Sequence, residues 1–348
     1  MAAASLSMRA TSAAVIATAA LLACCASPDG DVVAMPDGSP GIGFDDLRWS
    51  SSLGRVLVPG GRSGLLDLVE PDTRAVVAVE GFSKIGDYPG GHDDGPTSVD
   101  EGEGLLFVTD RTIASLDVVD ETTRAIVART TLASSPDYVR YVAATHELWV
   151  SEPSGSQLEI LSLDAHAVPP ALHTVATIPL ENGPESLVID PARGRAYTHH
   201  WQASTVGIDV RTRAVVGTWP NGCAASRGID VEPEHGWVLA VCNEGTLTVL
   251  DPEDGGRIVA SIAAGAGYDV MGYAPKLRHA YLAGGACGCL TVIGLSPSGA
   301  LDVLGRFDAP SDTHCAVADD RGHAWVCAPS EGSLWRITDH FPSWGAAP

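Results

Sequence analysis

The feature that most constrains the fold of this 348-residue chain is an internal repeat. The tripeptide Thr-Arg-Ala followed by β-branched residues begins at Thr73, Thr123 and Thr212, and a related segment surrounds Arg257. The four arginines of these segments are separated by 50, 89 and 44 residues, and the middle interval is about two of the others. Repeats of this length are typical of solenoids and propellers, in which each unit completes the core of its neighbour.

A turn position in each unit gives the number of repeats. The seven turn positions are Gly54, Gly104, His146, Gly194, Gly236, Arg278 and Gly322. Each unit contains four short apolar runs of period two, bounded by Gly and Pro, which indicates antiparallel strands rather than helices. We therefore predict an all-β fold, a seven-bladed β-propeller of four-stranded antiparallel sheets over residues 42–340. The last unit lacks a clear fourth strand, and we expect residues 31–35 to supply it.

Two segments also resemble a known family. "LWVSEPSGSQLEILSLD" at 148–164 and "RAYTHHWQASTVGIDVRTRAVVGTWP" at 195–220 are similar to the YVTN-type repeat of bacterial surface and periplasmic proteins. The resemblance implies a seven-bladed propeller. Several members of that family have no assigned activity, and the same shape also occurs in lactonases and in quinoprotein or haem-linked dehydrogenases. Fold alone does not choose among these functions.

The N-terminus has the pattern of an export signal. Arg9 precedes an alanine-rich apolar run that ends in "LLAC" at residues 21–24. This end resembles the lipobox of bacterial lipoproteins, which implies a signal peptide over residues 1–23 and a lipid on Cys24. The alternative is an ordinary secretory signal that is cleaved after the alanine-rich run. We expect residues 24–41 to form a flexible tether and residues 341–348 to form a C-terminal tail.

The net charge limits the possible partners. Acidic residues outnumber basic residues 43 to 21, for a formal net charge of −22. Such a surface repels nucleic acid and anionic lipid, so we expect no nucleic-acid partner and contact with a membrane only through the lipid anchor. We expect a monomer, exported to the periplasmic or cell-surface side of a bacterial membrane.

One end of the propeller channel is the predicted ligand site. If the blades are in register, the residues nine positions before the seven turns surround one channel mouth, and they are Asp45, Gly95, Asp137, Glu185, Arg227, Asp269 and Thr313. His314 follows the last of them. Clustered carboxylates raise one another's pKa or bind a cation. The alternative is structural, in which the carboxylates only cap strand ends and interact with Arg227.

Four histidines are weak candidates for metal binding. His92, His199, His200 and His314 are expected on the face of the predicted mouth, where an imidazole beside a carboxylate would hold a transition metal. His199 and His200 are adjacent, so their side chains point to opposite faces of a strand. Two possibilities therefore remain for the cofactor: the protein has none, or it binds a divalent metal ion.

Six cysteines follow the N-terminal segment, and the sequence contains no C-x-x-C. An even number in an exported protein indicates disulfides. The predicted blade geometry places Cys223 beside Cys242 and Cys315 beside Cys327. Cys287 and Cys289 share a Gly-rich turn, where we expect a strained bond. The alternative is a copper site formed by cysteine thiolates with His314 and Met271.

No catalytic motif is present in the sequence. There is no G-x-S-x-G, no H-E-x-x-H and no phosphate-binding loop. We therefore expect a binding or scaffolding protein of the cell envelope, whose partner is an envelope protein or a small molecule. The alternative is an enzyme, lactonase-like or dehydrogenase-like, with its site at the channel mouth.

Overall fold

A computed structural model describes residues 30–343 of the chain. These residues form seven four-stranded antiparallel sheets, which confirms the predicted seven-bladed all-β propeller. The first strands of neighbouring blades contact one another around the ring and surround the central channel. Within the described residues, no helix is both long enough and apolar enough to cross a membrane.

The strands are numbered in chain order. The first strand is β1 (Asp31–Ala34). Blade 1 consists of β2 (Arg48–Ser50), β3 (Arg55–Pro59), β4 (Leu65–Val69) and β5 (Val76–Glu80). Blade 2 consists of β6 (Pro96–Gly102), β7 (Leu105–Asp110), β8 (Ser115–Asp120) and β9 (Ile126–Thr131). Blade 3 consists of β10 (Val139–Val142), β11 (Glu147–Glu152), β12 (Gln157–Asp164) and β13 (Ala171–Pro179). Blade 4 consists of β14 (Glu185–Asp190), β15 (Arg195–His199), β16 (Ser204–Asp209) and β17 (Val215–Pro220). Blade 5 consists of β18 (Ser226–Glu232), β19 (Trp237–Cys242), β20 (Thr246–Asp251) and β21 (Arg257–Ala263). Blade 6 consists of β22 (Tyr268–Ala274), β23 (His279–Gly284), β24 (Cys289–Leu295) and β25 (Leu301–Asp308). Blade 7 consists of β26 (Ala316–Ala318), β27 (His323–Ala328) and β28 (Ser333–Thr338), and β1 is its fourth strand.

Short 3₁₀ turns interrupt four of the strand connections. They comprise Gly61–Ser63, Pro153–Gly155, Pro252–Asp254 and Pro329–Glu331.

The repeated Thr-Arg-Ala lies in the turn between the third and fourth strands of a blade. Asp120 ends the third strand of blade 2, and its carboxylate accepts hydrogen bonds from the backbone and hydroxyl of Thr123. Arg124 then adopts a left-handed conformation with φ of 58°, and its N–H donates to the Asp120 carbonyl. The tripeptide is thus a turn signal. Arg257 differs from the other arginines, because Gly255 and Gly256 take the left-handed positions of its turn and Arg257 begins β21.

All seven turn positions that gave the blade count also have positive φ, between 53° for His146 and 87° for Gly322. A left-handed backbone costs least at glycine, which explains why glycine occupies five of the seven positions.

The N-terminal segment is part of the propeller. Strand β1 pairs antiparallel with β28, so the predicted fourth strand of the last blade is confirmed. Val33 and Met35 are buried, while Val32 before them and Ala34 between them are exposed. The flexible tether predicted for residues 24–41 is therefore wrong over residues 30–41, because alternate side chains of this segment pack into the core. Residues 1–29, with the signal segment and Cys24, lie outside the described residues.

The C-terminal segment beyond β28 also packs on the propeller. The Phe341 ring lies 5.9 Å from that of Phe307 on β25, and the Pro342 carbonyl lies 3.1 Å from His279 Nε2. Phe341 and Pro342 therefore belong to the segment that packs on the propeller, although the predicted boundary assigned them to the C-terminal tail. Residues 344–348 lie outside the description.

The core lies between neighbouring blades rather than at one centre. Between blades 5 and 6, for example, Leu239 and Val249 pack with Met271 and Leu282. Each such side chain contributes roughly 1.5–3 kcal/mol when it is removed from water. The interfaces fix the blades rigidly, and this holds the loops at the channel ends in place.

Candidate functional site

Five of the predicted mouth residues line one cavity at the end of the channel. The cavity has a volume of about 370 Å³ and is lined by Asp45, Asp137, Glu185, Arg227 and Asp269, together with neighbouring loop residues. They come from blades 1, 3, 4, 5 and 6, so the predicted register of the blades brings them together. Thr313 is fully buried and is not part of the lining. A role for these residues in ligand binding stays a prediction.

Arg111 organises one side of the cavity. It follows β7 in the loop to β8, and its guanidinium Nη2 lies 3.2 Å from Asp45 Oδ2 and also contacts Asp137. Its Nε donates to the Pro136 carbonyl at 2.9 Å. Arg111 thereby connects blades 1, 2 and 3. The sequence analysis missed it, because the residue lies in the loop between second and third strands, outside the columns of first-strand positions.

His92 completes an ion cluster with Asp45. The His92 Nδ1 atom lies 3.1 Å from Asp45 Oδ2. The negative charge of Asp45 raises the pKa of His92 to about 9, although burial acts against this shift. Burial alone would raise the pKa of Asp45, but the charges of His92 and Arg111 outweigh it and hold this pKa below its usual value. The Asp45 carboxylate is therefore compensated within the protein.

Glu185 is compensated only in part, because the charge of Arg227 lowers its pKa but does not offset the opposing effects. Its residue is 7% exposed, and within residues 30–343 no group donates a hydrogen bond to its side-chain carboxyl. Burial raises the pKa of Glu185 well above its usual value, and the nearby Asp137 and Asp269 raise it further. Its carboxyl group lines the cavity, where a positively charged ligand group would favour the ionised form.

Asp269 and Arg227 form a loose pair beside Glu185. The Arg227 Nε atom lies 3.8 Å from Asp269 Oδ1, and burial raises the pKa of Asp269. The Arg227 guanidinium lies 5.6 Å from the ring centre of Trp201, whose side chain lines the cavity. An indole face beside carboxylates is a suitable surface for an organic cation. The sequence analysis also missed Trp201, which lies in a loop of irregular length.

The four candidate metal-binding histidines do not form one group. His92 and His314 stack with ring centres 5.4 Å apart. Both His314 nitrogens face backbone carbonyls, at 2.8 Å from Phe44 and 3.2 Å from Asp312, so neither is available as a metal ligand. His200 Nδ1 lies 2.7 Å from the Ser204 hydroxyl.

His199 belongs to a separate polar group between blades 4 and 5. Its Nδ1 lies 2.9 Å from the Thr205 hydroxyl, and Thr205 in turn neighbours Asn221. Burial lowers the pKa of His199 to about 4. The imidazole is thus a neutral interior group.

Among the described residues, three groups of acidic, imidazole or sulfur side chains have their donor atoms within 4.8 Å of one another. They are His314–Cys315–Cys327, Cys223–Cys242–Glu244 and Glu232–Glu234–His235. The first two use disulfide cysteines, and none includes the carboxylates of the mouth. The mouth carboxylates surround a space instead of converging on a point.

All three predicted disulfides are present. Cys223–Cys242, Cys287–Cys289 and Cys315–Cys327 join Cα atoms 5.1, 5.3 and 5.5 Å apart. The alternative copper site is wrong, because these six cysteines have no free thiolate. Met271 packs in the apolar interface between blades 5 and 6 instead of facing a metal.

No known family model matches the chain, and no curated protein matches it. Solved structures do resemble it. A chain of the mitotic checkpoint complex has a TM-score of 0.72 at 15% identity, covering 96% of this chain and 100% of that chain. A chain of hydrazine synthase from Kuenenia stuttgartiensis has a TM-score of 0.69 at 13% identity, covering 86% and 96%. The β-propeller domain of Cps50 (Swd1) from Myceliophteria thermophila has a TM-score of 0.67 at 9% identity, covering 86% and 97%. At these identities the likeness shows the fold alone, which is that of a β-propeller.

Proposed function

We propose that this protein is an exported binding protein of the cell envelope, and that it binds a positively charged organic group at the acidic channel mouth. The observation that carries the proposal is Glu185, which is 7% exposed and lines the cavity, and whose carboxyl group accepts no hydrogen bond within residues 30–343. Burying a carboxylate without a partner is costly, and a cationic ligand group removes that cost.

The shape of the site favours an ammonium or guanidinium group over a directly coordinated metal ion. The carboxylates surround a cavity of about 370 Å³, at the small end of the range for ligand pockets. Trp201 adds an aromatic wall. A small amine fits this space, as does a lysine or arginine side chain of a partner protein.

The envelope location is supported by the N-terminal sequence. The "LLAC" segment resembles a lipobox, and on that resemblance Cys24 carries the lipid that anchors the protein. The resemblance to YVTN-type repeats supports the same location. The similarity to a chain of a multiprotein assembly, the mitotic checkpoint complex, supports a binding role for the propeller.

The test is a calorimetric titration of the purified protein with agmatine, which carries one guanidinium and one ammonium group. We expect saturable binding at pH 8 that Glu185→Gln weakens at least ten-fold. Affinity should fall as the pH is lowered, because the raised pKa of Glu185 makes protonation compete with the cation at a higher pH than for an exposed carboxylate.

Glu181→Gln is the matched control. Glu181 is exposed and lies four residues before Glu185, so this variant removes the same charge without changing the cavity. Equal losses in both variants would show only general electrostatic attraction by an acidic protein, and the proposal would then be abandoned.

An enzyme is the second candidate, and the same carboxyl group favours it. A buried carboxyl with a raised pKa is a suitable proton donor or acceptor for catalysis. Lactone hydrolysis that is lost in Glu185→Gln and retained in Glu181→Gln would support an enzyme. Activity that is equal in the two variants would exclude a role for this site.

A further inference from the structure

A second, larger cavity lies in the channel at the end opposite the acidic mouth. It has a volume of about 600 Å³ and is bordered by Pro275–Leu277 and Asp320–Gly322, which are turns between first and second strands. The acidic mouth is instead formed by loops that enter the first strands. Tyr138 lines both cavities and lies between them. The second cavity, which we call the turn-side cavity, is therefore a separate site.

The walls of the turn-side cavity are mainly apolar. They include Leu47, Trp49, Val188, Ile229, Met271 and Val317. These residues lie on the first strands of blades 1, 4, 5, 6 and 7 or directly before them. A volume of about 600 Å³ with such walls lies well within the range of small-molecule sites.

Four buried polar atoms of the cavity have no hydrogen-bond partner among the described residues, and they are the Tyr273 hydroxyl and three nitrogen atoms that only donate. Arg48 donates one hydrogen bond from Nη2 to Asp100 at 3.1 Å, and its Nε has no partner among residues 30–343. The indole N–H of Trp49 and the Nε of Arg140 are also without a partner there. These three groups only donate hydrogen bonds, so a ligand that complements them must supply acceptors.

Four cationic side chains line the cavity, and those of Arg48 and Arg140 lie on first strands, whereas those of Lys276 and Arg321 lie in the turns at its border. Of the two guanidinium groups on first strands, that of Arg140 is 5% exposed and is held by Asp46 through two hydrogen bonds of 2.6 and 2.9 Å. The Arg48 side chain is 37% exposed and leaves most of its N–H groups unused.

The carboxylates that line the cavity are those of Asp46, Asp230, Asp319 and Asp320. The first three already accept hydrogen bonds, from Arg140, from the Val231 N–H and from the Trp325 indole.

We propose that the turn-side cavity binds a small molecule with an apolar body and one carboxylate group. The carboxylate pairs with the guanidinium of Arg48, because a planar fork of donors matches a carboxylate. The apolar body lies against Trp49 and Met271. This inference rests on no residue of the acidic mouth and is independent of the function proposed above.

The test uses 1-naphthaleneacetate as the probe, in calorimetric titrations of the purified full-length protein. We expect one saturable site per chain. Arg48→Met keeps the apolar stem but removes the donors, and it should weaken binding at least ten-fold. 1-Naphthalenemethanol, which has the same ring system without the charge, should bind more weakly than the acid, and Arg48→Met should not change its affinity.

Arg55→Met is the matched control, since Arg55 has a similar exposure of 36% on the same blade but does not line the cavity. Ala318→Trp, which fills the cavity, should abolish binding of both probes, with circular dichroism to confirm that the variant is folded. The proposal is overturned if the acid shows no saturable binding, if Arg48→Met and Arg55→Met have equal effects, or if the alcohol binds as tightly as the acid.

Discussion

At the scale of single residues, the buried carboxyl groups of this protein differ in whether a partner compensates them. Asp46 is held by the Arg140 guanidinium, and Asp117 is held by Arg129. Asp67 on β4 is fully buried, and neither of its carboxyl oxygens has a hydrogen-bond partner among residues 30–343. Burial raises the pKa of Asp67 to about 7, and the nearby charge of Asp37 acts in the same direction.

The uncompensated carboxyl group of Asp67 predicts that the free energy of unfolding falls as the pH rises. The folded-state pKa of about 7 lies above the ordinary value of 3.8, so the folded protein holds the proton more tightly than the unfolded chain does. The resulting stabilisation is complete below pH 3.8 and is lost as the pH rises through 7. Over that range Asp67 should remove up to about 4 kcal/mol from the free energy of unfolding.

Asp67→Asn is the variant that checks this. It should be more stable than the parent protein at pH 8, and its advantage should shrink towards pH 4, as measured by urea unfolding at both pH values. Asp120→Asn should lower stability at pH 8, because hydrogen bonds from Thr123 lower the pKa of Asp120. An advantage of Asp67→Asn that does not change with pH would contradict an uncompensated charge.

At the scale of elements, the sequence predicted what backbone geometry dictates. The blade count was correct because a left-handed turn recurs in every unit. Five of the seven mouth positions line one cavity because they occupy equivalent positions at the first strands, and their role in ligand binding stays a prediction. The sequence analysis missed Arg111 and the turn-side cavity, since both depend on where side chains from different blades meet. The tether was misassigned because four strand residues, Asp31–Ala34, lie beside a turn rich in Pro and Gly.

Strand β1 should be essential for closing the ring. Val33 is 5% exposed and lies opposite Leu334, whereas the neighbouring Val32 is 49% exposed. Val33→Asp places a charge without a partner in the core and should cost at least about 3 kcal/mol of unfolding free energy. Val32→Asp puts the same side chain at the neighbouring position, in solvent, and should change stability by less than about 0.5 kcal/mol. Thermal and urea unfolding would measure both effects, and equal losses would argue against a closing role for β1.

At the scale of the whole molecule, the sequence predicted the seven-bladed ring but left the ligand unidentified. The ring follows from repetition, but its ligand does not, because the two channel ends differ through a few side chains. Within residues 30–343, the Glu185 carboxyl group at the acidic mouth accepts no hydrogen bond, and one N–H group each of Arg48, Trp49 and Arg140 in the turn-side cavity has no partner. Seven similar units thus produce two chemically different ends.

The attachment of the whole molecule to a membrane is also testable. Cys24 lies outside the described residues, and the proposed anchor predicts that Cys24→Ser moves the protein from the membrane fraction to the soluble fraction of the envelope. Cys25→Ser is the matched control and should leave it in the membrane fraction. A protein that stays soluble without either change would exclude the lipid.

The pairing of β1 with β28 has a consequence for how the chain matures. Strand β1 cannot pair until β28 has been synthesised, because Asp31 and its partner Arg336 are separated by 305 residues. Until then, the ring stays open, with the apolar face of Val33 uncovered and two sheet edges unpaired. A polypeptide that stops before β28 would thus expose unpaired sheet edges that the closed ring covers. We expect quality-control proteases to recognise such a polypeptide at these edges.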